Sequence, residues 1–596
     1  MSDVIFGIYQ TSDSILIHNI NISKVISIDK EYLSINTREI SYLNTINKTG
    51  EYRARGILGI LNIGMMDFLL YITSSSIVGK IGNKDIYEIK DINFLGISNN
   101  IKLSDDIISI LSEIRCILQQ GFYYSHHYDL TNSLQNQKLI KIRNNYKYDF
   151  IRDSDKKFLW NNELYVKFFD YYVDSDFMIN CICGYIGVIH EEKLDYILIS
   201  RRSSLNAGVK LIKKGLDIDG HSANFVETEQ IVIADDNIFS FVQVRGGPPL
   251  IFNDETIKDF LGENSNSDRT KSKSNLSFEN HISYLLRNSY QLALVINLMN
   301  IKKNNEQLAT TVIEELIRLN EYKYLKYLFF DYFNETNNDK NNHIKLENNT
   351  KSYLDSDNLS SVNNFLQKIE NVLNIFKYFG IFNKRNMSDH NMHEDNERNN
   401  FRSVNDKNNK VSTDQVGIIR TCCYDGLERS NFMQKRIALK VLRTQLKEIN
   451  VFPSDLFREN ISNKTDNFSD MMSTAQDLKF EVNTNTSQIN LIGKYQKEIE
   501  LNFSKNESDE SIEISVDKLK LGPSNTKPES NSFLDAFDKI WADNGVKLSI
   551  QYTGGVGIAS AELDQQYIVK QNFKQRCTDI FLQKFEPSFM KSNIFC

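Results

Sequence analysis

A mixed α/β fold (α+β overall) with a β-rich first third is what the sequence predicts, and three observations predict it. Residues 1–180 carry short Ile, Val, Leu and Tyr runs broken by turn residues, the pattern of strands. Residues 177–252 hold more such runs. Residues 277–333 then change to helical spacing, with Leu308, Val312, Leu316 and Leu319 on one face. At 596 residues, with 41% hydrophobic and 25% charged positions, the chain has material for about two to four cored domains. Complete disorder is excluded.

Taken in order, strands are predicted over 14–22, 67–89 and 162–172, and a helix over 105–119. Residues 56–73 are the most apolar stretch but include Asn62 and Asp67. They read as paired buried strands rather than a membrane span. Further strands are expected over 177–189, 195–203 and 238–247. Three stretches, 337–361, 383–413 and 454–535, are rich in Asn, Asp, Lys and Ser and read as disordered insertions. The predicted division is 1–180 and 181–585.

A net charge of −7 argues against a general nucleic-acid binder. Seven cysteines, with no C-x2-C pair facing a second pair, make neither a disulfide framework nor a structural zinc site. The first residues show no basic segment followed by an apolar core, so no secretory signal is expected. The expected compartment is the cytoplasm, with peripheral membrane contact and no transmembrane segment.

The sharpest chemical signal runs from Cys423 to Arg429 and Ser430. An apolar run at 416–421 precedes it and reads as a strand. Met433, Ile437 and Val441 follow at helical spacing. Strand, tight loop and helix thus enclose a C-x5-R spacing. A loop this short turns its backbone N–H groups inward, and the helix adds positive charge at its N-terminus. Arg429 is then placed to clamp two phosphoryl oxygens. The same field is expected to lower the thiol pKa of Cys423. Ser430 would bond the thiolate, and Gly426 permits backbone angles that other residues resist. The chemistry implied is phosphate-ester hydrolysis through a phosphocysteine. Amides and Arg429 stabilise the charge, so neither metal nor cofactor is expected. Asp425 and Glu428 are the candidate general acids, Asp425 first.

The segment 420–431 is similar to the signature of the Sac-domain phosphoinositide phosphatases, usually Arg-x-Asn-Cys-x-Asp-Cys-Leu-Asp-Arg-Thr-Asn. Here Cys422 replaces the Asn, Gly426 the second Cys, Glu428 the second Asp and Ser430 the Thr. Other segments resemble the family in the same order: 122–135, 158–161, 201–203, 215–230, 240–249 and 541–554. The resemblance implies a β-rich N-terminal Sac domain followed by an α/β catalytic domain of the cysteine-phosphatase kind. It also implies a phosphoinositide lipid in a membrane surface as partner, often phosphatidylinositol 4-phosphate. Tyr424, Gly426 and Leu427 of the loop, with Arg201, Lys213 and Lys214 from a basic cluster, are the candidate substrate-binding residues. Asn544 and Gln551 are expected to support the loop by hydrogen bonding. The alternatives are a phosphoinositide-binding scaffold with a degenerate site, and a phosphatase for protein phosphotyrosine.

Overall fold

The computed structural model describes residues 5–63, 66–97, 103–207, 214–262, 267–286, 290–320, 322–335, 360–383, 410–451, 453, 456 and 532–553. Most of the three polar stretches, and Lys213, lie outside the described residues.

The first five strands, β1 (Phe6–Gln10), β2 (Ser14–Asn19), β3 (Lys24–Asp29), β4 (Ile35–Glu39) and β5 (Gly50–Ala54), form an antiparallel sheet in the order β4-β3-β2-β1-β5. Their Ile8, Ile15, Ile17, Ile26 and Ile28 pack against Ile57, Ile60, Leu69 and Tyr71. These last four belong to a hairpin of β6 (Gly56–Ile63) and β7 (Met66–Ile81). The alternate residues Leu58, Leu61, Leu70 and Ile72 face the other way. They pack on Ile114 and Leu118 of the Asp105–Leu118 helix and on Trp160. Successive strand residues point to opposite faces, and here both faces are covered. That is why 56–73 reads as continuously apolar without being a membrane span.

The hairpin is one end of a larger mixed sheet. It continues through β8 (Lys84–Gly96), β9 (Phe122–Tyr124), β10 (Cys181–Glu191), β11 (Leu194–Arg202), β12 (Val226–Ala234) and β13 (Asn237–Gly246), all antiparallel neighbours. Beyond β13 the pairing turns parallel. β14 (Leu292–Asn297), β15 (Leu325–Phe329) and β18 (Gly417–Cys422) run in the order β13-β18-β14-β15. A pair of short strands, β16 (Phe379–Asn383) and β17 (Lys410–Thr413), attaches to the start of β13.

Residues 277–333 therefore are not helical throughout. β14 and β15 alternate with the helices Ser267–Leu285 and Asn304–Asn320. Helices cover both faces of this parallel part. Phe278, Ile282, Val312 and Leu316 pack on Ala293, Val295 and Ile418. Phe365, Val372, Met433 and Ile437 pack on Leu294, Ile296 and Ile419. A parallel strand buried on both faces is apolar at every position and loses its alternation. Residues 162–172 also differ from expectation: a 3-10 turn (Glu163–Tyr165) and a short helix (Val166–Asp170) replace the strand. Tyr165 and Phe168 reach the core at helical spacing.

A buried polar network joins the two halves of the large sheet. Arg201 on β11 donates to Glu227 and Glu229 on β12 and to the carbonyls of Leu130 and Asn132. Ser240 and the Leu134 N–H complete Glu229. Gln135, in the helix Leu134–Arg143 capped by Ser133, exchanges hydrogen bonds with the backbone of Gln415, two residues before β18. Arg201 and Glu229 are wholly buried, so each charge depends on the other. Removing one partner of such a pair strands the remaining charge. Arg201→Ala is expected to lose roughly 3–5 kcal/mol in urea denaturation; a loss no larger than that of an exposed ion pair would mean the network does not hold this segment.

Candidate active site

β13, β18 and β14 run parallel and end level with one another. Gly246 and Asn297 are the register partners of Cys422. In open α/β sheets, ligands bind beyond such carboxyl ends. The chain leaves β18 at Cys422 and enters the Glu428–Glu448 helix only six residues later. Gly426 makes the turn at φ +68°, its backbone against Gly246, where an added Cβ would lie 2.7 Å from the carbonyl carbon.

This fold-back places three groups on the buried Cys423 sulfur. The Gly426 N–H donates to Sγ at 3.2 Å, and the Ser430 hydroxyl donates at 3.4 Å. The thiol donates to Asp425 Oδ1 at 3.4 Å. Asp425 is fixed in turn: its carboxylate accepts from Leu427 N–H at 3.1 Å, and its carbonyl accepts from Asn224 Nδ2 at 2.9 Å. Arg429 comes from the same helix turn, but its Nη1 donates to Glu306 Oε2 at 2.7 Å and to the Leu298 carbonyl at 2.9 Å. Its guanidinium lies 5.2 Å from the Phe333 ring centroid. Glu306 also accepts from the Asn300 N–H.

The thiol pKa moves opposite to the sequence expectation. Burial pushes the Cys423 thiol up, and Asp425 adds to that; Arg429, Ser430 and a loop N–H pull the other way without overcoming it. Two facts absent from the spacing argument decide the sign. The sulfur has left water, and the nearest carboxylate lies against it.

The other predicted residues divide. Tyr424 packs edge-on against Phe252 and accepts from Lys214 Nζ at 3.0 Å. With Lys303, Asn304, Asn305 and Glu306 it lines an open cavity of about 460 Å³. Leu427 is buried and meets the site through its N–H. Glu428 is exposed on the first turn of the helix and makes none of the bonds to the sulfur. Arg201 is not brought to the loop; its donors serve the network between β11 and β12. Arg202 is likewise buried, between Trp160 and Tyr552, and donates to the Gln551 carbonyl.

Several supporting residues were not singled out as site residues, although Arg420 and Asn431 open and close the 420–431 segment. Glu306 lies 123 positions before Arg429. Arg420 on β18 donates through Nε to His281 Nε2 at 2.7 Å and through Nη2 to the Gly247 carbonyl at 2.6 Å. His281 Nδ1 in turn lies 2.8 Å from the Gly220 carbonyl. A neutral imidazole bonded in this way donates from Nδ1 and accepts at Nε2. Asn431 donates to the Trp541 carbonyl at 2.9 Å and accepts from Arg245 Nη1 at 2.7 Å and from Asn544 at 2.9 Å. Asn544 thus supports the loop's helix as expected, whereas Gln551 donates to the carbonyls of Gly184 and Gln120.

The comparisons agree on one family. Residues 55–337 match the SacI homology domain. The phosphoinositide phosphatase SAC7 of Arabidopsis thaliana is 26% identical over 414 residues, covering 67% of this chain and 61% of the relative. Human synaptojanin-1 is 26% identical over 408 residues, 66% of this chain and 22% of its own length. The phosphatidylinositol-3-phosphatase SAC1-B of Danio rerio is 25% identical, covering 66% of this chain and 61% of its own length. The chain thus spans about 61% of the length of the plant and zebrafish relatives. These matches show a SacI homology domain over residues 55–337 and distant homology to the Sac phosphoinositide phosphatases and synaptojanin.

Proposed function

We propose that the chain hydrolyses phosphate monoesters on the inositol ring of a phosphoinositide, through a phosphocysteine on Cys423. The observation that carries this reading is the loop itself. A cysteine at the carboxyl end of a parallel strand receives a loop N–H and the Ser430 hydroxyl, with an arginine six residues on. The names of the relatives point to the lipid substrate. The parallel sheet with helices on both faces supports a catalytic unit of the cysteine-phosphatase kind.

The geometry supplies a closed proton account. In the free protein the Cys423 thiol donates to Asp425. When a phosphoryl group enters, that proton passes to Asp425, and the sulfur attacks phosphorus. The S–P bond forms as the P–O bond to the ring breaks. Asp425 returns the proton to the leaving oxygen, so no alkoxide is released. Water then attacks phosphorus, giving its proton to Asp425 while the S–P bond breaks toward the thiolate, which Ser430 bonds. Loop N–H groups and Arg429 stabilise the phosphoryl oxygens. Glu306 holds Arg429 beside the loop until phosphate competes for it.

The loop carries two acids and no lysine between Cys423 and Arg429. That composition favours monophosphorylated lipids over those with several ring phosphates. No helix among the described residues is long and apolar enough to cross a membrane; in this reading contact with the lipid surface is peripheral, on the cytosolic side. A second reading, a lipid binder without turnover, draws on the raised thiol pKa and on Arg429 being held by Glu306.

Three outcomes are expected. Phosphate release from short-chain phosphoinositides, measured with EDTA present, is seen for wild type and falls to background for Cys423→Ser; no release by folded wild-type protein favours the binder. Phosphatidylinositol 4-phosphate is turned over faster than a trisphosphate lipid, and the reverse order would remove the monophosphate preference. Asp425→Asn separates two effects. Loss of the general acid lowers release by about 10²–10⁴-fold. Loss of the carboxylate that pushes the thiol up moves the pH profile of Cys423 alkylation to lower pH. An unchanged profile would show that Asp425 does not act on the thiol.

A further inference from the structure

Arg245 sits on β13, one residue before the glycine on which Gly426 rests. Its register partner on β18 is Thr421, two residues before Cys423. The side chain is wholly buried. Nη1 donates to Asn431 Oδ1 at 2.7 Å, yet Nε and Nη2 are buried without a hydrogen-bond partner. Among the described residues its one direct hydrogen-bond partner is a neutral amide, and no carboxylate is bonded to it. A buried guanidinium left like this is costly, because its hydration is gone and two donor groups go unused. Burial lowers its pKa to about 10, and it still holds its proton at neutral pH. The charges that act on it are those of the active-site loop, Cys423 and Asp425.

We propose that Arg245 is the second guanidinium of the site, placed under the loop to stabilise negative charge on the Cys423 sulfur and on the phosphoryl group it carries. The inference rests on Cys423 being the reacting group. It assigns different work to three arginines. Arg429 is bonded to Glu306, and Arg420 to His281 and the Gly247 carbonyl, with one of its nitrogens, Nη1, unpartnered among the described residues. Arg245 alone of the three has two unpartnered nitrogens and lies anchored to the first turn of the loop's helix through Asn431. When the thiol loses its proton, these donors gain the acceptor that the neutral thiol does not offer.

The other groups that act electrically on Cys423 are the same in every variant below. Arg420 and Arg429 contribute positive charge. Asp425, Cys422, Tyr332 and Tyr552 are the titratable groups of opposite sign when ionised.

The test reads the thiol directly. Iodoacetamide alkylation of the Cys423 peptide is followed by mass spectrometry across pH, because Cys116 is exposed and would confuse a bulk assay. Arg245→Met is expected to move the alkylation midpoint up by about one pH unit or more and Arg245→Lys to restore most of that shift. In lipid turnover, Arg245→Met should lower kcat with little change in KM. Should the methionine variant fail to fold, Arg245→Gln, which can still bond Asn431, is read in its place. A folded neutral variant with the wild-type midpoint overturns the proposal. So does a lysine variant shifted as far as the neutral one, since charge would then not be the cause. The alkylation arm needs no phosphatase activity. If wild type never releases phosphate, the functional reading fails while this result stands; if release persists and the midpoint does not move, this inference alone fails.

Discussion

Gly426 lies backbone to backbone with Gly246, closer than any side chain would allow, and the site depends on that approach. Because the loop rests on the end of β13, it must double back within a few residues. That fold-back turns the Gly426 N–H onto the sulfur and brings Ser430 around to it. It also holds Asp425 against the thiol, with Asn224 anchoring the Asp425 carbonyl from a distant segment. A larger residue at Gly426 would lift the loop, and every one of these contacts would lengthen together, whereas a Cβ at Gly246 would strike Ser222 instead. The parallel register of β13 and β18 is therefore a chemical constraint as well as an architectural one.

Buried arginines around the sheet show three ways of keeping a charge out of water. Arg201 is matched by two carboxylates and holds the fold. Arg420 is held through Nε and Nη2 by neutral acceptors, including a histidine whose pKa is pushed well down by burial and by that same arginine, and its Nη1 is left without a partner among the described residues. Arg245 is left incomplete, with Nε and Nη2 unpartnered among the described residues and the charges of Cys423 and Asp425 acting on it. Functional sites are where a fold tolerates such imbalance.

Much of this was legible in the sequence, and the remainder has identifiable causes. The β-rich first third, the buried hairpin at 56–73 and the helix over 105–118 follow from local patterning. The strand, loop and helix around Cys423 follow from an apolar run, a glycine and helical spacing. β14 was not legible, because a strand buried on both faces carries no alternation, and β15 is a five-residue edge strand in which only Leu325 is buried. Arg201 reads as a substrate-binding candidate in a basic cluster until β12 places Glu227 and Glu229 against it. The direction of the thiol pKa was also hidden. A spacing argument counts the amides and Arg429, but the loss of water and the hold of Glu306 on Arg429 exist only in three dimensions.

The Asn431 anchor bears on the order in which the molecule assembles. Its partner, the Trp541 carbonyl, lies 110 positions further along the chain. Closing so long a loop is inexpensive in itself, since each doubling of length adds only about 0.6 kcal/mol, so the connecting length can change greatly at little thermodynamic cost. Timing is another matter. A ribosome delivers the chain from its N-terminus. Cys423, Arg245 and the strands beneath them emerge well before the Phe533–Thr553 helix that braces Asn431. A nascent chain therefore holds the Cys423 loop before the brace on Asn431, and the candidate site is completed only as the Phe533–Thr553 helix docks.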